Sequence, residues 1–232
     1  MKTKFSTFIA LAAISTSPVM AQDLDIKITN LTNAIYFTPF LAAAHNSDTH
    51  LFMEGEMASM NLQAMAEGGD IMGLSNDIQG MGGNVVENPA SGMLAPGASV
   101  SFHMMPNEGN HYLSVTAMML PTNDGFVGAE AIEIPMDAGT YTYYLNAYDA
   151  GTEANNEVIN GGAASGALGI PADPGGNSGS GGTGVTTSES NTMVHIHRGV
   201  QGDSDASGGA SDLSSSVHRW LNPVAKLVIT VN

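Results

Sequence analysis

A single antiparallel β-sandwich, mostly β with one short helix and a long Gly/Ser-rich loop, is the fold that this 232-residue sequence predicts. Three observations point to it. Apolar and polar residues alternate in many short segments, turn-forming Pro, Gly, Asn and Asp separate those segments, and helical spacing is convincing only once. The 43% hydrophobic content supplies material for a core, and with no cysteine in the chain no disulfide supports it.

Residues 1–21 read as a secretory signal peptide. Lys2 and Lys4 give a positive start, residues 5–15 form a short apolar stretch, and Val19-Met20-Ala21 ends as a signal peptidase requires. The stretch is too short to span a bilayer. The expected mature domain is therefore residues 22–232, exported to the periplasm, the medium or the outer surface. Within it, Leu24, Ile26 and Ile28 alternate with Asp25 and Lys27 as an opening strand with one buried face. Residues 34–44 continue as apolar strand material, interrupted at Pro39.

The helix is expected over residues 56–67, where Met57, Met60, Ala64 and Met65 fall near helical spacing and Gly68-Gly69 stops it. Pro96-Gly97 turns the chain into a strand at residues 98–104. A further strand at residues 111–120 ends in the turn Pro121-Thr122-Asn123-Asp124-Gly125. Residues 140–148 are aromatic and β-prone. The last strand, residues 224–231, places Leu227, Ile229 and Val231 on one face. Residues 160–190 are rich in Gly, Ser and Thr. The segment after them is too short for a core of its own, so they are expected to be a long mobile loop inside one domain.

The charge is one-sided. Six Lys and Arg face 22 Asp and Glu, a formal net charge of −16 that becomes −18 when Lys2 and Lys4 leave with the leader. Such a surface repels nucleic acid and anionic lipid and attracts cations. There is no Cys nucleophile, Gly-x-Ser-x-Gly elbow or phosphate loop, so the chain does not read as an enzyme. After the leader no apolar run reaches transmembrane length, and the expected partner is an extracellular or cell-surface one of unspecified identity.

Two sets of side chains carry possible ligand chemistry. Asp124 and the run Asp149-Ala-Gly-Thr-Glu153 offer carboxylates and carbonyls, and Asn123, Asn155 and Asn156 add amide oxygens. Calcium takes six to eight such oxygens. Asp and Asn beside Gly also make ordinary turns without an ion, so both readings stand on the residues alone. The second set is histidine. His195 and His197 lie two apart in an expected strand and so share a face, and His218 lies near Trp220. With 15 Met in the chain, these make copper the alternative metal, although Met is more often core filling.

Residues 113–128 (Leu-Ser-Val-Thr-Ala-Met-Met-Leu-Pro-Thr-Asn-Asp-Gly-Phe-Val-Gly) and 148–153 (Tyr-Asp-Ala-Gly-Thr-Glu) resemble the spondin N-terminal domain family. Animal members carry similar Ser-Pro-Asp-Trp-Phe-Val-Gly and Trp-Asp-Ala-Gly-Thr-Asp runs, so Gly125 stands in place of Trp and Glu153 in place of Asp. Residues 52–69 and Trp-Leu-Asn-Pro-Val-Ala at 220–225 are similar to the bacterial branch. The resemblance implies a β-sandwich with calcium held by loops at one end, Asp124, Asp149 and Glu153 as its ligands, and a non-catalytic binding or adhesion role. The overall pattern is also similar to copper-repressible surface proteins of methanotrophs, a resemblance that implies copper bound through His and an oxidised Trp without assigning ligands here; the residues offered for that alternative are His195, His197 and His218. A structural exported protein with no specific ligand is the third expectation.

Overall fold

The computed structural model describes residues 22–232 except 163, 164 and 177, so the expected signal peptide lies outside the described residues. β1 (Leu24–Asn30) buries Leu24, Ile26 and Ile28 and exposes Asp25 and Lys27, as its alternation predicts. Pro39 has no N–H to donate, and the apolar stretch around it divides into β2 (Tyr36–Phe37) and β3 (Leu41–His45). Two helices follow, α1 (Met60–Gly68) and α2 (Met72–Gly80). The remaining strands are β4 (Asn84–Glu87), β5 (Ser99–Met104), β6 (Tyr112–Leu120), β7 (Gly125–Glu133), β8 (Gly139–Asp149), β9 (His195–Ile196) and β10 (Ala225–Val231).

Every strand pairing is antiparallel, and the main sheet path runs β4-β3-β6-β7-β8-β10-β1-β5, curling into a nearly closed sandwich. β10 sits between β1 and β8, so the end of the chain completes the sheet that its beginning starts. The interior is filled by inward residues such as Ile26, Val115, Val127, Leu145, Leu227 and Ile229.

A second apolar layer lies outside the sheet. There α1 and α2 bring Leu62, Met65, Leu74 and Ile78 onto Leu41, Met118 and Phe126. This explains why β3 is buried along its whole length and β6 at all but its first residue, whereas β10 alternates. A strand covered on both faces has no solvent side on which to place polar residues.

The helices differ from expectation in two respects. α1 starts later than predicted, because Ser59 caps it by accepting the Leu62 N–H at 3.0 Å. Its phase is then set by Leu62, Met65 and Ala66, leaving Met57 and Met60 exposed. Gly69 ends it at φ +72°, the left-handed stop that the glycine pair predicts. α2 has no sequence-based counterpart. Gly73 and Gly80 lower its propensity, yet a Cβ at Gly73 would lie 2.3 Å from Asn61 Oδ1, so glycine is what allows the two helices to approach. No helix among the described residues is long and apolar enough to cross a membrane.

No helix or strand occurs among the described residues of 160–190. The segment is attached at points: Ile170 is fully buried and bridges to Ile159, and the Ser180 and Gly182 N–H groups donate to Asp212.

Candidate functional site

The turn after β6 and the end of β8 meet because β7 pairs with β8 in a register that sets Gly125 opposite Asp149. Asp124 and Asp149 are thereby brought to the same end of the sandwich. Thr122 tightens the first turn, its hydroxyl donating to the Met119 carbonyl (2.6 Å) and accepting the Gly125 N–H (3.0 Å). A Cβ at position 125 would lie 2.7 Å from Thr122 Oγ1 and 3.1 Å from His197 Cδ2. Gly151, in the Asp-Ala-Gly-Thr-Glu run, has φ +69°, and a Cβ there would lie 2.6 Å from the Thr192 backbone. Both glycines let neighbouring backbone or side chains close over the acidic residues.

All three predicted carboxylates are buried: Asp124 is 0%, Asp149 2% and Glu153 5% exposed. Asp124 Oδ2 accepts the N–H groups of Thr152 (2.8 Å) and Glu153 (3.1 Å) and the Thr152 hydroxyl (3.3 Å). Its Oδ1 is buried with no hydrogen-bond partner. Burial, and next the neighbouring Asp149 charge, push the Asp124 pKa up to about 8. Asp149 accepts the Gly151 N–H on Oδ1 (2.9 Å) and an Asn155 amide N–H on Oδ2 (2.6 Å).

Glu153 is engaged differently. One oxygen accepts the Gly169 N–H and the other an Asn123 amide N–H at 3.4 Å. Burial raises its pKa to about 7, with the Glu67 carboxylate adding to the shift. The trio therefore resolves into an Asp124–Asp149 pair and a third carboxylate that fastens the chain at Gly169. Among the described residues no three His, Asp or Glu side chains already form a metal-holding set. The pair still fits a hard cation, because an unpartnered buried carboxylate oxygen beside a second carboxylate is an oxygen donor set lacking positive charge.

The histidines separate by their hydrogen bonds. His197 Nδ1 accepts the Gly199 N–H (3.0 Å), so the ring proton sits on Nε2, which is buried without a partner. Its ring packs on Trp220 with centroids 5.0 Å apart, and burial lowers its pKa to about 4. His218 Nδ1 likewise accepts the Ser214 N–H (2.9 Å), and its Nε2 stands 3.9 Å from Asp173 Oδ2 in a different cavity. His195 is the reverse case. Its Nδ1 donates to the Met193 carbonyl (2.8 Å), leaving the Nε2 lone pair open, 3.8 Å from Asp149 Oδ2. Of the three predicted copper ligands, His195 is the one that offers an open ring nitrogen as hydrogen-bonded here.

Two further acidic participants, Glu157 and Glu67, are not marked by the sequence, whereas Asn123 is. Asn123 Oδ1 accepts the Glu157 N–H at 3.1 Å, and buried Glu157 accepts the Gly202 N–H (2.8 Å) and the Ser211 hydroxyl (2.6 Å). Glu67 comes from α1, far away in sequence. Their proximity depends on the tertiary fold, although the Asn-Asn-Glu run at 155–157 beside the acidic motif is a local hint.

The Spondin_N family model matches residues 29–159, more than half of the chain, and its span includes Asp124, Asp149 and Glu153 but none of His195, His197 and His218. No curated protein matches the chain.

Proposed function

The chain belongs to the Spondin_N family, and from that premise we propose that it is an exported, calcium-binding, non-catalytic module for surface or adhesive binding, with its Asp124–Asp149 end clamped by the ion. The observation that carries the reading is Asp124 Oδ1, buried, unpartnered and next to a second buried carboxylate. At neutral pH such a pair needs a positive charge, either a proton or a cation. A hard divalent ion supplies it, accepts carbonyl oxygens and water as well, and would link the turn before β7 to the end of β8. Its contribution is charge neutralisation and cross-linking. Glu153 would join only by giving up its bonds to Gly169 and Asn123. Export rests on the leader-like residues 1–21. Copper would have one ready nitrogen, His195 Nε2, and would require His197 and His218 to exchange tautomers.

Thermal melting tests the reading. A ligand at a hundredfold excess over its Kd adds about 2.7 kcal/mol to the folded state. For a chain of this size that raises the Tm by roughly 5–11 °C over the value in chelator. Asp149→Ala should at least halve that gain, and His195→Ala should leave it intact. A parent Tm indifferent to both calcium and chelator overturns the proposal.

A further inference from the structure

Another acidic cavity, of about 410 Å³, lies outside the segment that the family model matches. Asp173, Gly179 and Ser180 face it from one side and Asp203, Asp205 and Asp212 from the other, with no Lys or Arg on the lining. Two of these carboxylates are occupied in shaping the loops. Asp203 accepts the N–H groups of Asp205, Ala210 and Ser211, each at 2.9 Å. Asp212 accepts those of Ile159 (2.7 Å), Ser180 (2.7 Å) and Gly182 (2.8 Å).

Asp173 is the exception. Its side chain is only 5% exposed, its Oδ1 is buried with no hydrogen-bond partner, and its Oδ2 stands 3.9 Å from His218 Nε2, too far for a hydrogen bond. His218 accepts the Ser214 N–H on Nδ1, so the ring is a neutral donor that brings neither a full charge nor an open nitrogen to the cavity. A buried carboxylate with an unused oxygen thus faces a cavity with no cationic side chain.

The facing loop has matching chemistry. Asp203-Ser-Asp205-Ala-Ser207-Gly208 places oxygen-bearing side chains on alternate residues ahead of a glycine, the spacing with which calcium loops present successive ligands. Asp205 accepts the Ser207 N–H through Oδ1 (2.9 Å) and is exposed, so its second oxygen is available to an ion. We propose that this cavity is a second calcium site, with Asp173 as the buried ligand and Asp205 and neighbouring loop oxygens closing over the ion. Since no three acidic or His side chains among the described residues are already grouped so as to hold a metal ion, binding draws the 203–209 loop toward Asp173. The absence of an open imidazole or thiolate disfavours softer metals, and an irregular loop suits the variable coordination of calcium better than the strict octahedron of magnesium. The ion would fasten the chain ahead of β10 to the 160–190 segment.

Calcium stoichiometry of the exported chain, measured by equilibrium dialysis after chelator treatment, tests this independently of the Asp124–Asp149 reading. The parent should bind two ions. Asp173→Asn should weaken one of them by about tenfold or more, and Asp205→Asn, whose amide oxygen can still cap Ser207, should weaken the same ion without a change in circular dichroism. Asp124→Asn should affect the other ion only. A single ion lost in Asp124→Asn but retained in Asp173→Asn and Asp205→Asn overturns the second site alone. A single ion lost in the latter two and kept in Asp124→Asn upholds it and overturns the first. Displacement of the ion by equimolar magnesium overturns the assignment to calcium.

Discussion

In chelator, the protein is expected to lose stability as the pH rises from about 6.5 to about 8, and Asp124→Asn should remove most of that loss. The Asp124 pKa is about 8 when folded, against a reference of 3.8. Because the folded value is raised, its stabilising contribution is complete below the reference value and disappears as the pH climbs through the folded one. Glu153, at about 7 against 4.5, acts in the same direction. His197 acts oppositely: its folded pKa of about 4 lies below the reference of 6.5, so its contribution is present above 6.5 and is lost as the pH falls toward 4. Above about pH 6.5 the carboxyls therefore act without that opposition. At 1.36 kcal/mol per pH unit, Asp124 alone accounts for on the order of 2 kcal/mol across the window. Saturating calcium should flatten the slope, because the ion replaces the proton. Tm measurements at the two pH values check this, and a metal-free Tm that rises between them contradicts it.

Phe126→Ala should cost about 3–5 kcal/mol of stability. The ring is fully buried two residues after Asp124, edge-on to Phe52 at 5.0 Å and stacked on Tyr148 at 5.6 Å. It belongs to the layer between the sheet and the two helices, which has no solvent to fill the void. At about 2–4 °C per kcal/mol the Tm should fall by roughly 6–20 °C. Calcium should still raise the remaining Tm, since no ligand is removed. A change of less than about 2 °C would contradict the assignment of Phe126 to a packed layer.

Legibility in the sequence followed the range of the interactions involved. β1 and β10 are plain because one face is wet, and alternation with Asp25, Lys27 and Lys226 records it. The β-sandwich class follows from such strands and from the turns between them. β7 is obscured because it begins inside the turn-forming run at Asp124-Gly125 and is buried on both faces over its first half. α2 is obscured by Gly73, whose role is the close contact with Asn61, an interaction that single-helix propensity does not contain.

The carboxylates followed the same rule. Resemblance located Asp124, Asp149 and Glu153, but only the fold separates the pair from the third residue, since the Glu153 partners Gly169 and Asn123 are brought to it from other loops. The His195-x-His197 spacing is plain in the sequence. The division into an open and a closed ring nitrogen depends on Met193 and Gly199 backbone groups.

The most direct test of the calcium clamp is diffraction from crystals grown in calcium at a wavelength where the ion scatters anomalously. A peak is expected at about 2.3–2.6 Å from Asp124 Oδ1, with the Asp149 carboxylate in the same coordination shell. Saturating calcium with no anomalous peak between the two carboxylates, and an ordered water against Asp124 Oδ1 instead, would contradict it.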